Sequence, residues 1–106
     1  MQPITFGVNF IVRNERVDKH GLIPLYCKIT INGQVLKISI NQNILAIDWN
    51  EDLQLPKKSC KNFKTIQKII ESFKSRVYQV YSNLLSSNTE LTASNFKTSF
   101  IGKKMF

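Results

Sequence analysis

The chain has 106 residues, 42% of them hydrophobic, and fifteen Lys and Arg stand against seven Asp and Glu, a formal charge of +8. That length supports one domain around one core, and no apolar run approaches the roughly 20 residues needed to cross a bilayer. The charge favours an anionic partner, nucleic acid or an acidic membrane surface, while two cysteines are too few for a disulfide scaffold.

The opening MQPITFGVNF lacks a basic leader followed by an apolar run, so no signal peptide is expected. Free thiols in a reducing, cytoplasmic setting are the corresponding expectation for Cys27 and Cys60, the first facing the core and the second lying in a polar connection. Ile4 to Val12 alternates strictly: Ile4, Phe6, Val8, Phe10 and Val12 share one face, and Thr5, Gly7, Asn9 and Ile11 the other. This pattern predicts a first strand. Arg13 to Pro24 is a polar connection holding the single histidine, His20, which has no second histidine, cysteine or carboxylate at ligand spacing. No metal and no cofactor are therefore expected.

Leu25 to Ile40, LYCKITINGQVLKISI, is the strongest signal in the chain. Two alternating segments flank Asn32-Gly33, the pair best suited to a two-residue turn in which both residues take positive φ. The turn sets the register, with Ile29 opposite Leu36, Cys27 opposite Ile38 and Leu25 opposite Ile40 on an apolar face. Thr30 opposite Val35, Lys28 opposite Lys37 and Tyr26 opposite Ser39 form the other face. Two ammonium groups directly across a ladder repel, costing a fraction of the roughly 0.2–1 kcal/mol typical of cross-strand pairs. A bound polyanion turns that cost into a gain.

NQNILAIDWNEDLQL follows, with the only tryptophan, Trp49, expected as a lid on the core. Asp48 is placed to cap a short turn through Glu51. From Asn62 to about Leu85, Phe63, Ile66, Ile70, Phe73, Val77, Val80 and Leu84 recur in alternating steps of three and four, the stripe of one long helix covering the sheet. Lys61, Lys64 and Lys68 gather on its far side. Residues 53–86 carry seven basic side chains against Glu71 alone, which makes this a solvated face or a second candidate for phosphate contact. After a polar linker from Ser86 to Glu90, Thr92 suits an N-cap, with Leu91 and Phe96 at the positions of a hydrophobic staple. A short helix from Ala93 to about Ile101 follows, with Phe96 and Phe100 on one side and Gly102 as its cap.

The predicted fold class is therefore α+β: a three-stranded antiparallel sheet packed on one long helix, plus a short C-terminal helix. Its candidate interface comprises Thr5, Asn9, Tyr26, Lys28, Thr30, Lys37 and Ser39, with Lys61, Lys64 and Lys68 as secondary phosphate candidates. Thr30 and Asn9 are candidates to read base edges, and Lys28 and Lys37 to meet phosphates or guanine. No nucleophile lies beside a base and no glycine loop cradles a phosphate, so no catalytic residue is expected. An RNA-binding sheet is the alternative nucleic-acid reading, weakened because Tyr26 is the only aromatic residue on the predicted free face. A protein-interaction module whose long helix or terminal segment packs on another protomer of a larger complex is the alternative of a different class.

The aromatic-rich first strand, Lys19-x-Gly21, Pro24-Leu25-Tyr26-Cys27-Lys28-Ile29, Asn32-Gly33, Trp49 and the long helix, in that order, resemble the N-terminal arm DNA-binding domain of phage and conjugative-transposon integrases, the tyrosine recombinases. The resemblance spans nearly the whole chain, with one departure: the strand after the turn runs on through Ile40-Asn41-Gln42 where the usual pattern ends in Thr-Gly. It implies an arm-type DNA-binding domain over residues 1–86, with residues 87–106 forming a linker and the start of a following core-binding domain. It further implies sequence-specific binding of duplex repeats at the ends of a mobile element in the bacterial nucleoid, the free sheet face lying in the major groove. The family's catalytic residues belong to a later domain, and Tyr26, Tyr78 and Tyr81 are not assigned as nucleophiles.

Overall fold

The computed structural model describes residues 5–102. Three strands, β1 (Phe6–Val12), β2 (Leu22–Ile31) and β3 (Gln34–Leu45), form an antiparallel sheet in the order β1-β2-β3. A two-stranded ribbon follows, β4 (Trp49–Asn50) with β5 (Leu55–Pro56), then α1 (Phe63–Ser86) and α2 (Ala93–Gly102). The fold is α+β, one long helix against one face of a three-stranded sheet. Ile4 of the expected first strand and residues 103–106 lie outside the described residues, as does any cap after Gly102.

The β2–β3 turn has the conformation that Asn-Gly favours, with φ of 48° at Asn32 and 86° at Gly33. The register that this turn imposes runs through Thr30–Val35, Ile29–Leu36, Cys27–Ile38 and Tyr26–Ser39, with Lys28 directly opposite Lys37. Beyond Tyr26 the ladder shifts, and Pro24 pairs with Asn43. The expected Leu25–Ile40 pair thus falls within a bulge, where Ile40, Asn41 and Gln42 all stand against Leu25. Asn41 takes φ of 60°, a left-handed conformation that asparagine tolerates, and its N–H donates to Ser39 Oγ at 3.1 Å. The strand therefore bends and continues to Leu45 where the alternating pattern stops.

Period-two burial in β2 is complete: Ile23, Leu25, Cys27, Ile29 and Ile31 are buried and each intervening residue is half-exposed. From α1 the stripe supplies Ile66, Ile70, Val77, Val80 and Leu84 to the same core, with Phe63 and Phe73 at its margin. Each fully buried Ile or Leu is worth about 1.5–3 kcal/mol over an exposed one. Trp49 is buried in that core, a lid as its sequence neighbours suggested.

Cys60, expected in a polar connection, is buried as well, because the turn that carries it into α1 is tied back by its N–H to the Lys57 carbonyl. Both thiols are free, and burial pushes that of Cys27 up to about 12, leaving it protonated and unreactive. Asp48 does not cap the turn that follows it. Asn50 Oδ1 accepts the Leu53 N–H at 3.0 Å, whereas Asp48 Oδ1 accepts the Ser59 hydroxyl at 3.1 Å and braces the approach to α1.

Thr92 caps α2 through a 3.0 Å bond from the Asn95 N–H to its Oγ1. Leu91, Phe96 and Phe100 are all buried in the common core, Phe96 completely. Phe100 packs against Phe73, and Arg76 lies 4.1 Å over its ring while donating to its carbonyl at 2.9 Å. The start of α2 is also joined to the β2–β3 turn region, since Ala93 N–H donates to Gln34 Oε1 at 3.4 Å.

Candidate nucleic-acid interface

The face of the sheet turned away from α1 carries its side chains in transverse rows. Ladder pairing sets Gly7, Thr30 and Val35 in one row, Asn9, Lys28 and Lys37 in the next, and Ile11, Tyr26 and Ser39 in a third. Rows follow one another at about 7 Å, two residues of strand rise. Lys37 and Ser39 are exposed, whereas Asn9, Tyr26, Lys28 and Thr30 are half-buried among their neighbours. Six of the seven expected interface residues therefore share one continuous surface. The seventh, Thr5, is exposed just before β1, where its backbone exchanges two hydrogen bonds with Asn32 at the turn.

Local bonds already occupy part of this surface. Ser39 Oγ holds the bulge, and Asn9 Oδ1 accepts from Gln54 Nε2 at 2.9 Å. Neither Lys28 nor Lys37 lies in a salt bridge; among the described residues the one salt bridge is Arg13 to Glu15, at 2.8 Å. The opposed ammonium groups thus keep their repulsion and their unspent hydrogen-bond donors. Arg13 adds a further cation that the sequence reading missed, its guanidinium 5.2 Å from the centroid of the Tyr26 ring. Its position at the strand end gave no periodic signal. Val35 is 51% exposed, an apolar side chain in a row otherwise fit for polar contact.

Acidic residues keep mostly to loops. In the β1–β2 connection Asp18 accepts the amides of Leu22 and His20 at 3.0 and 2.8 Å, which hold its carboxyl below the usual range. Glu51 is the exception near the sheet. It lines, with Asn9, Lys28, Trp49 and Gln54, a cleft of about 450 Å³ where the β4–β5 ribbon meets the edge of β1.

Lys61, Lys64 and Lys68 are all exposed, Lys64 and Lys68 on the side of α1 opposite its buried stripe and Lys61 in the turn just before the helix. Since α1 covers the apolar face of the sheet, these lysines point away from the Lys28–Lys37 row and do not join it. No helix among the described residues is long and apolar enough to cross a membrane.

A basic, open sheet face backed by one helix is the architecture that the resemblance implied. The family model of the arm DNA-binding domain matches residues 10–97. The chain belongs to the arm DNA-binding domain family. No curated protein and no solved structure matches it. This arm domain is of the integrase type, a DNA-binding and non-catalytic module, so DNA is its partner. The match takes in the whole of β2, β3 and α1 and ends inside α2, so the arm domain includes both the hairpin and the helix that buries its reverse.

Proposed function

We propose that this arm domain binds duplex DNA sequence-specifically, with the open face of its sheet in the major groove, as the N-terminal module of a tyrosine recombinase acting at the end repeats of a mobile element. The observation that carries the reading is the Asn9–Lys28–Lys37 row, in which two uncompensated cations face one another on the polar side of a domain from a DNA-binding family. The axes of β1 and β3 are about 10 Å apart, commensurate with a major groove roughly 12 Å wide. Thr5, Asn9, Tyr26, Lys28, Thr30, Lys37 and Ser39 supply the contacts, and Lys61, Lys64 and Lys68 remain the secondary phosphate candidates on the far side. Residues 87–106 lead from the arm domain toward a core-binding domain, and the parent protein works in the bacterial cytoplasm with other protomers of its complex.

Binding of this kind is salt-dependent. With about four to six phosphates contacted, log affinity falls against log salt with a slope of roughly −4 to −5. Fluorescence anisotropy on a mixed-sequence duplex measures the slope, and comparison of an element-end repeat with its scrambled version measures specificity. A flat salt response, or equal affinity for repeat and scramble, contradicts the proposal.

A further inference from the structure

Gln54 is the one residue other than Asn and Gly that the described backbone holds at positive φ, 55°. An Asn or Gly would adopt that conformation with less strain. What the glutamine side chain does there is make two directed bonds to the edge of β1. Its Oε1 accepts the Phe10 N–H at 2.8 Å, and its Nε2 donates to Asn9 Oδ1 at 2.9 Å.

The directions of these bonds follow from chemistry. A backbone N–H can only donate, so the atom facing Phe10 N is the oxygen of Gln54. That leaves the Gln54 NH2 facing Asn9, and an NH2 can only donate, so Asn9 must turn its own oxygen to it. The Asn9 NH2 is then left free, with no hydrogen-bond partner among the described residues, in the same row as Lys28 and Lys37. We propose that Gln54 is a specificity-positioning residue: it draws the Asn9 oxygen toward itself and holds the amide with its NH2 outward, so that the Asn9–Lys28–Lys37 row presents hydrogen-bond donors and selects the acceptor edge of guanine.

This inference rests on the sheet-face reading above. Guanine presents two acceptors, N7 and O6, in the major groove, whereas adenine pairs one acceptor with an amino donor and cytosine presents an amino donor. Asparagine's usual bidentate contact with adenine needs its amide oxygen as well as its NH2. Here Gln54 takes one lone pair of that oxygen and turns it toward the β4–β5 ribbon, away from a base that the NH2 meets, and adenine loses that advantage.

Two substitutions reverse the outward atom by independent routes. Gln54→Glu keeps an acceptor for the Phe10 N–H but offers Asn9 a carboxylate oxygen, which turns the Asn9 amide round and sends its oxygen outward. Asn9→Asp keeps the bond from Gln54 Nε2 and makes the outward atom an oxygen directly. The experiment selects bound sequences from a random duplex pool with the 106-residue chain, its two variants, Asn9→Ala and Lys37→Gln, with folding of each checked by circular dichroism. Wild type should enrich guanine at the position that Asn9→Ala relaxes. At that position Gln54→Glu and Asn9→Asp should lower the preference for guanine over adenine or cytosine by roughly tenfold. The reading of base preference is separate from overall affinity, which an added carboxylate lowers for every sequence.

Should Asn9→Ala relax a position while both reversing variants leave its preferred base unchanged, the role of Gln54 is refuted and the sheet-face reading stands. If Gln54→Glu does not fold, Gln54→Ala takes its place: it frees the Asn9 amide to turn, and an unchanged preference for guanine over adenine refutes the role of Gln54. If neither Asn9→Ala nor Lys37→Gln alters any position of the selected sequence, the sheet-face reading itself fails, and the inference with it.

Discussion

The two faces of the sheet are built from the same three strands, yet they answer to different demands. Toward α1, Phe10, Leu25, Cys27, Ile29 and Ile31 are buried side by side with Ile66, Ile70, Val77 and Phe96, and among the described residues no buried polar side chain interrupts them. Away from α1, Lys28 and Lys37 oppose each other, Asn9 is tied by one bond, and Val35 is exposed. One face is satisfied within the chain and the other holds unspent donors and unbalanced charge. Under the proposed function, stability and recognition are separated by the pleat alone, neighbouring residues of one strand turning to the core and to DNA in alternation.

The separation is broken most severely from the buried side. Phe96→Ala empties a completely buried site at which α2 meets the sheet and α1, and should cost on the order of 3–5 kcal/mol of unfolding free energy. Urea denaturation followed by circular dichroism measures it. A loss under about 1 kcal/mol would mean that α2 packs too loosely to count as part of the core. A smaller effect is expected from Thr92→Ala, which removes the cap from the Asn95 N–H and should cost about 1 kcal/mol. The same denaturation series resolves it, and an unchanged midpoint would show that the Leu91–Phe96 contact holds the helix start without the hydroxyl.

Much of this arrangement was legible in the sequence because it is periodic. Alternation in β1 and β2, the Asn32-Gly33 turn and the three-four stripe of α1 each repeat a simple geometric rule, and the register of Lys28 with Lys37 follows from the turn alone. What could not be read is held by single polar contacts. The bulge at Ile40–Gln42 depends on Ser39 Oγ and the left-handed Asn41, and its one trace in the sequence is the departure from the family's usual pattern. Gln54 reaches Asn9 and Phe10 across 45 and 44 positions, a separation at which one glutamine leaves no trace. Asp48 serves Ser59 where its sequence neighbours suggest a local cap, since both roles need only a carboxylate near a turn. The candidate interface residues were identified by face, but Arg13, at the end of a strand and stacked near Tyr26, had no pattern to betray it.

Lys28→Gln and Lys37→Gln, each measured for urea midpoint and for duplex affinity, show whether the polar sheet face is kept for duplex DNA at no benefit to the fold. Removing either charge relieves the repulsion across the ladder, so stability should be unchanged or raised by a few tenths of a kcal/mol. Affinity should fall by about 1–3 kcal/mol if a base contact is lost, or fall alike for all sequences with a salt slope smaller by about one if a phosphate contact is lost. Destabilised variants that bind duplex as tightly as wild type would contradict the claim and move the interface to the helix face around Lys61, Lys64 and Lys68.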